Sequence, residues 1–193
     1  KKKKKDIAGV RQYAMPYSKN VSDFIDSMSL SHDGKRAVFT ARGELFSVPI
    51  KQGPTRNLSY TEKSREIDAS WSPNGRYIAY MSDESGEYEI YLKDRSKNNA
   101  IKQLTSNGTI WRFTPIWSPD SSKLLFSDKN NTLWWLDAKS GKQHKIDTGI
   151  YDEDGITQYT WSPNSQDIVF VKNNENRYAS LWHYNLKKKK VTR

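Results

Sequence analysis

One five-residue pattern occurs four times in this chain, and it constrains the possible fold more than any other feature. The four copies are Leu30-Ser31-His32-Asp33-Gly34, Trp71-Ser72-Pro73-Asn74-Gly75, Trp117-Ser118-Pro119-Asp120-Ser121 and Trp161-Ser162-Pro163-Asn164-Ser165. Successive copies begin 41, 46 and 44 residues apart. A period of about 40 to 50 residues is typical of a four-stranded propeller blade, whereas a helical repeat such as the tetratricopeptide is shorter. The spacing therefore predicts a repeat array built from strands.

Each repeat contains runs of strand-forming residues bounded by Gly, Asn, Asp and Ser. The first run after each motif covers residues 37–40, 77–80, 124–126 and 168–171, and the second covers 45–48, 88–92, 133–136 and 181–184. A weaker, more polar run ends the repeat, as in residues 55–59 and 102–105. With the strand that leads into each motif, this makes four strands per repeat. The sequence therefore predicts an all-β fold, a β-propeller of four consecutive four-stranded antiparallel blades, and no helix.

The predicted blades follow one another along the chain. We assign residues 23–60, 61–106, 107–149 and 150–193 to blades one to four, and residues 1–22 to a tail or an incomplete preceding blade. An open array of four blades would expose strand edges and an apolar blade face at each end. We therefore expect these residues to belong to a larger propeller of six or seven blades in a longer chain.

The repeated motif has a mechanical interpretation. Its Trp or Leu ends the first strand with a large apolar side chain suited to packing between blades. Proline then stops the strand, because it cannot donate to the ladder, and Asp-Gly or Asn-Gly supplies the positive φ of a tight turn. Where Ser121 and Ser165 replace glycine, we expect a less ideal turn.

The net charge of +10 would suit a nucleic-acid partner, but its distribution does not. Lys1–Lys5 and Lys187–Lys190 carry nine of the ten net charges, one run at the terminus and one at an expected turn. A nucleic-acid footprint needs basic residues spread over a face or groove. A solvated tail and a solvated turn are favoured, and neither a nucleic-acid nor a membrane partner is expected.

The residues offer no recognisable catalytic chemistry. The chain has no cysteine, no nucleophile motif and no paired-histidine spacing. The three histidines, His32, His144 and His183, fall in three different repeats, in a turn, a hairpin and a strand respectively. The acidic run Asp152–Gly155 lacks the alternating ligands of a calcium loop, which favours a solvated loop. We therefore assign no catalytic residue, no cofactor site and no metal site.

Two features admit a binding role. Trp134 and Trp135 place adjacent rings on opposite faces of a strand. Core packing is the favoured interpretation for both, with an exposed peptide-binding ring as the alternative. The polar inner strands would line a central channel, where an extended peptide would pair with a strand edge.

Asp33–Pro49 and Gly53–Ser59 resemble the tricorn protease family and its bacterial homologues. The later Trp-Ser-Pro repeats are shared more widely with TolB-like and prolyl-oligopeptidase propellers, so the diagnostic stretch lies between Arg36 and Ser59. His32 stands where these repeats usually carry proline. The resemblance implies a large serine peptidase in which two propellers precede a PDZ-like domain and the catalytic domains, with this segment at the start of the second propeller. The catalytic residues that it implies belong to later domains, so none is carried over here.

Three functions are compatible with these observations. The first is a propeller that gates or channels peptides or unfolded proteins to the serine peptidase domains of a homo-oligomeric parent chain. The second is a TolB-like, non-enzymatic protein-interaction propeller, and the third is nucleic-acid binding through the lysine runs, which predicts steep salt dependence. The resemblance implies a cytoplasmic location, or a periplasmic or secreted one in a bacterial relative.

Overall fold

The computed structural model describes residues 20–61, 63–106, 108–150 and 156–193, which form four four-stranded sheets. The strands of the first sheet are β1 (Ile25–Leu30), β2 (Arg36–Ala41), β3 (Glu44–Pro49) and β4 (Arg56–Asn57). Those of the second are β5 (Glu66–Trp71), β6 (Tyr77–Ser82), β7 (Glu89–Asp94) and β8 (Ala100–Gln103). The third contains β9 (Ile116–Trp117), β10 (Lys123–Ser127), β11 (Thr132–Asp137) and β12 (Gln143–Thr148). The fourth contains β13 (Tyr159–Trp161), β14 (Asp167–Asn173), β15 (Ala179–Asn185) and β16 (Lys190–Thr192).

Every sheet is an antiparallel meander in which strands pair in the order of the sequence. The β2–β3 hairpin shows how the local sequence sets the register. Ala41 pairs with Glu44, and the two residues between them, Arg42 and Gly43, have φ values of 54° and 83°. Positive φ at both central positions matches the twist of the flanking strands. Within the described residues, the only helical element is a 3₁₀ turn at Ser22–Phe24, so the predicted all-β, four-blade architecture is confirmed.

Three apolar clusters join neighbouring blades, and each contains the tryptophan of one repeated motif. Trp71 packs with residues of blades one and two, Trp117 with residues of blades two and three, and Trp161 with residues of blades three and four. Their exposed fractions are only 6–8%. Leu30, at the same position of the first blade, is 55% exposed because no described blade precedes it. The predicted packing role is therefore confirmed for the three tryptophans and stays a prediction for Leu30, which has no described blade to pack against.

The serine of each motif organises the turn that follows, a role that the sequence patterns did not indicate. In the third copy, the Ser118 hydroxyl donates to Asp120 Oδ1 at 2.6 Å and accepts from the Lys123 amide at 2.9 Å. The same pair of contacts recurs in the other three copies. A serine hydroxyl with both partners therefore closes the first hairpin of every blade.

Ser121 and Ser165, where a less ideal turn was expected, link neighbouring blades. Both adopt the left-handed conformation, with φ of 61° and 56°, which costs a non-glycine residue about 1–3 kcal/mol. The Ser121 hydroxyl accepts from the Asn74 amide at 2.9 Å, and the Ser165 hydroxyl from the Asp120 amide at 3.0 Å. A net gain of about 0.5–1.5 kcal/mol per hydrogen bond offsets part of that strain. The less ideal turn predicted for these serines is therefore confirmed. Each serine hydroxyl also forms a hydrogen bond to the preceding blade, which glycine could not form.

Candidate functional site

The first strands of successive blades lie side by side, which places β1 against the uncovered edge of β5. The Ser27 hydroxyl accepts from the Ala69 amide at 3.2 Å, and the Ser29 hydroxyl accepts from the Trp71 amide at 3.0 Å. Both amides lie on the edge of β5 that β6 does not cover. An extended peptide therefore cannot pair with β5 at these positions without displacing the serines, so the geometry favours side-chain contacts over the edge pairing suggested by the sequence.

Two of the three motif tryptophans also donate a hydrogen bond to the backbone of the neighbouring inner strand. Trp117 Nε1 donates to the Ser70 carbonyl at 3.4 Å, and Trp161 Nε1 donates to the Ile116 carbonyl at 3.3 Å. Each indole therefore packs in a blade interface and satisfies a backbone acceptor of the preceding blade. Pairing in β9 is limited to Ile116 and Trp117, directly after Pro115, which cannot donate to a ladder.

Aromatic and charged side chains from three blades meet where the first strands begin. We name this surface the aromatic rim and define it by Phe24, Asp26, Arg65, Tyr88, Trp111 and Phe113. The Tyr88 and Trp111 rings are 4.9 Å apart in an edge-to-face arrangement, and Arg65 Nη2 lies 3.8 Å from Asp26 Oδ2. Phe24, Trp111 and Phe113 remain 46%, 41% and 38% exposed. Rings with accessible faces beside paired charges are suited to contacts with polypeptide side chains.

A cavity opens at the blade-one side of the rim. It measures about 460 Å³ and is lined by Asp23, Phe24, Ile25, Asp26, Arg42 and Arg65. The Arg42 guanidinium lies over the Phe24 ring, 5.4 Å from its centroid. Burial raises the pKa of Tyr88, while Arg65 opposes the shift, so the Tyr88 hydroxyl keeps its proton at neutral pH. The rim therefore presents cations, a carboxylate and a neutral hydroxyl donor together with its rings.

Asp68 occupies a strained position near the rim. Its φ is 55°, and it lies in the irregular stretch of β5 between Ile67 and Ser70, where the register with β6 shifts. The Thr114 hydroxyl of the next blade donates to Asp68 Oδ2 at 2.8 Å. A bulge of this kind redirects a side chain out of the strand alternation, and here it aims a carboxylate at the neighbouring blade.

Two glutamates behind the rim are almost fully buried and satisfied in different ways. Glu66 and Glu89 are each 1% exposed. Glu66 accepts from the Thr61 and Ser64 hydroxyls at 2.8 Å and has no cationic partner among the described residues. Glu89 pairs with Arg112 Nη1 at 2.8 Å and also accepts from a backbone amide. In the part of the chain that the structure describes, no cluster of three His, Cys, Asp or Glu could hold a metal.

The Glu66 carboxylate makes a pH-dependent contribution to stability. Burial raises its pKa above the ordinary value of 4.5, although the surrounding hydroxyls lower it. Above pH 4.5 the folded state therefore binds more protons than the unfolded state, and stability falls as pH rises through the folded pKa. We expect Glu66→Gln to abolish this fall in stability, so that the stability of the variant relative to the natural protein increases as the pH rises above 4.5.

Urea unfolding at several pH values tests this expectation. Glu84→Gln is the matched control, because it removes an exposed carboxylate from the hairpin before β7. Parallel stability curves for Glu66→Gln and the natural protein across this range would contradict the prediction.

The three histidines that the sequence singled out lie in three different blades. His32 is exposed in the first hairpin turn. His144 lies in β12, stacked on Trp135 with ring centroids 4.0 Å apart, and burial and nearby lysines lower its pKa. His183 Nε2 lies 2.8 Å from Asp167 Oδ1 in the fourth blade. The fold brings none of them to another histidine or to the rim.

The two adjacent tryptophans both pack at blade interfaces. Trp134 packs against the cluster between blades two and three, and its Nε1 donates to Asp128 Oδ2 at 2.8 Å. Trp135 packs against the cluster between blades three and four. This supports core packing for both rings.

The charged runs fall partly outside the described residues. Lys1–Lys5 and Asp152–Gly155 lie outside them. Lys187–Lys190 are exposed in the turn between β15 and β16 and at the start of β16, which confirms the expected turn. In the described part of the chain, no helix has the length and apolar character needed to cross a membrane.

Comparison with known proteins defines the family. Residues 25–193 match the tricorn protease second β-propeller domain. The chain belongs to this family. The match covers all four blades and confirms the resemblance, whose diagnostic part is the Arg36–Ser59 stretch.

Solved structures share the fold at low sequence identity. A tricorn protease structure matches with a TM-score of 0.71 and 17% identity, covering 88% of this chain and 16% of that chain. A putative TolB from Agrobacterium tumefaciens matches with a TM-score of 0.66 and 20% identity, covering 88% and 61%. A puromycin hydrolase mutant matches with a TM-score of 0.62 and 18% identity, covering 88% and 28%. At these identities the likeness concerns the fold alone.

A curated relative carries a peptidase name. Dipeptidyl-peptidase 5 of Porphyromonas gingivalis is 29% identical over 131 residues, which cover 63% of this chain. The match spans only 18% of that relative, so it concerns a small part of the relative's length.

Proposed function

We propose that this chain is part of a propeller that receives extended peptides for a tricorn-type serine peptidase, whose catalytic domains lie outside these residues. The observation that carries the proposal is the aromatic rim, with its exposed rings and charges at one end of the first strands in a tricorn-family propeller. Peptidase names among both the curated relative and the structural neighbours support it. By the same resemblance, the parent chain is a homo-oligomer in the cytoplasm, with a periplasmic or secreted location as the alternative.

The exposed faces of the first and fourth blades support a larger propeller. Leu30 occupies the interface position that tryptophan fills in the other blades, yet it is 55% exposed, and Leu181 of the fourth blade is 65% exposed. We infer that further blades cover both faces and complete a six- or seven-bladed ring. A structure of the full-length protein would contradict this inference if both leucines remained exposed.

A peptide-binding measurement tests the role of the rim. We expect Trp111→Ala combined with Phe113→Ala to weaken binding of a labelled unstructured peptide by about tenfold, since exposed aromatic anchors carry much of the affinity at such surfaces. Fluorescence anisotropy measures the change. Tyr178→Ala is the matched control, because Tyr178 is a 73% exposed aromatic residue of the fourth blade.

The outcomes separate the two leading functions. Equal affinity of the rim double variant and the control would remove the rim from the proposal. Cleavage of a fluorogenic peptide by the full-length protein is expected. Absence of cleavage, with peptide binding intact, would favour the TolB-like interaction propeller. This propeller is the second candidate because two TolB structures match the chain with TM-scores of 0.66 and 0.62.

A further inference from the structure

Three arginines line one cavity between blades one and two, near the strand ends opposite the rim. The cavity measures about 310 Å³, and we name it the arginine groove. Its lining consists of Arg36, Ser47, Arg56, Asn57, Leu58, Tyr60, Ile78, Arg95 and Asn99. No acidic residue is in this lining, so polar donors and cations dominate it.

Arg36 and Arg95 of the groove are held in place by contacts with neutral groups. Arg36 donates through Nε to the Ser47 hydroxyl and through Nη2 to the Ser47 carbonyl, both at 2.7 Å, and through Nη2 to the Pro54 carbonyl at 3.1 Å. The Arg95 guanidinium lies over the Trp71 ring, 4.7 Å from its centroid. These contacts fix the direction of both guanidinium groups without cancelling their charge.

Two arginines outside the groove are neutralised by carboxylates. Arg76 pairs with Asp94 at 2.8 Å, and Arg112 pairs with Glu89 at 2.8 Å. None of the three groove arginines forms an ion pair with a described carboxylate. The groove is therefore a concentration of uncompensated positive charge in which the arginines repel one another.

The electrostatics of Arg36 agree with this geometry. Burial, followed by the charges of Arg56 and Arg95, lowers the pKa of Arg36. Lys93 adds another cation beside the groove, since its Nζ donates to the Leu58 carbonyl at 2.7 Å. A dianionic ligand would relieve this repulsion.

We propose that the arginine groove binds a phosphate group. Guanidinium groups bind phosphate oxygens through paired, charge-assisted hydrogen bonds, and arginine is the residue best suited to that geometry. The Nη1 donors of Arg36 form no hydrogen bond with described residues and are available, and Asn99 and Tyr60 add neutral polar groups around the same space. The ligand is either inorganic phosphate or the phosphate of a phosphorylated side chain, which share this chemistry.

Calorimetric titration with inorganic phosphate, at an ionic strength held constant with sodium chloride, tests the proposal. We expect saturable binding that Arg95→Gln and Arg56→Gln each weaken by about tenfold, the effect of losing one charge-assisted contact. Both side chains are exposed, so the variants should fold, and circular dichroism checks that they do. Lys129→Gln is the control, because it removes an exposed charge outside the groove.

A second titration distinguishes the sources of the phosphate. O-phosphoserine that binds more tightly than inorganic phosphate would identify a phosphorylated side chain as the ligand, and equal affinity would identify the free anion. Absence of saturable binding would overturn the proposal. Equal weakening by Lys129→Gln and Arg95→Gln would also overturn it, since it would show attraction to overall charge rather than to the groove.

Discussion

Phe126→Ala is expected to lower the free energy of unfolding by about 3–5 kcal/mol, the usual cost of removing a buried phenylalanine ring. Phe126 is 1% exposed and belongs to the cluster that joins blades two and three. Domains of this size are typically stable by only about 5–15 kcal/mol. The variant should therefore retain little stability at 37 °C, and urea unfolding followed by tryptophan fluorescence measures the loss.

A second apolar strand residue supplies the control for this prediction. Ile101 lies in β8, the outermost strand of the second blade, and is 49% exposed. Ile101→Ala should cost less than about 1 kcal/mol, because surface substitutions leave no cavity. Similar losses for the two variants would mean that the blade interfaces are not the main source of stability.

The blade architecture could be predicted because its determinants are local and repeated. Trp71, Trp117 and Trp161 end strands at similar spacings of 46 and 44 residues, and each is followed by turn residues that bring the chain back as a hairpin. Strand alternation then assigns the ring to a blade interface. No contact between blades had to be known for this inference to succeed.

The role of Ser121, at the last position of the third motif, could not be predicted in the same way. Ser121 reads locally as a poor substitute for glycine, and its φ of 61° agrees with that interpretation. The Ser121 hydroxyl accepts a hydrogen bond from the Asn74 amide of the preceding blade, 47 residues earlier in the chain. The partner becomes visible only when two blades are placed side by side.

Both proposed sites were missed for a related reason. The aromatic rim combines Phe24, Tyr88 and Trp111, and the arginine groove combines Arg36, Arg56 and Arg95. Each residue alone lies in a polar turn, a linker or a strand end, where a solvated side chain is the ordinary interpretation. Charge counts could not locate the groove either, because the lysine runs dominate the net charge.

The buried Glu89–Arg112 pair is a further feature hidden in the sequence. Glu89 lies within a run that is otherwise typical of a buried strand, and Arg112 lies 23 positions later in the segment that crosses from blade two to blade three. The Gly108 amide also donates to Glu89 Oε1 at 2.5 Å. A Cβ at position 108 would lie only 2.5 Å from that oxygen, so a larger residue there would require the Glu89 carboxylate to move.

Arg112→Met is expected to cost about 3–5 kcal/mol, because it leaves the carboxylate of Glu89 buried without its cation. The side chains of Glu89 and Arg112 are only 1% and 11% exposed, so water cannot replace the guanidinium. Methionine preserves most of the side-chain volume, and the loss then reports on charge rather than on a cavity. The Arg112 Nη1 bond to the Tyr88 carbonyl, at 3.1 Å, is lost as well, which should loosen the Tyr88 edge of the rim.

Combining Arg112→Met with Glu89→Gln removes both charges and should recover most of the lost stability. Replacing only one partner of a buried ion pair is costly because the other partner's charge stays buried without compensation. Urea unfolding of the two single variants and the double variant at pH 7 gives the coupling free energy between Glu89 and Arg112. The penalty of Arg112→Met should also persist at high salt, because ions screen a buried pair poorly. A double variant less stable than Arg112→Met, or a penalty that salt removes, would contradict the explanation that an unpaired buried charge causes the loss.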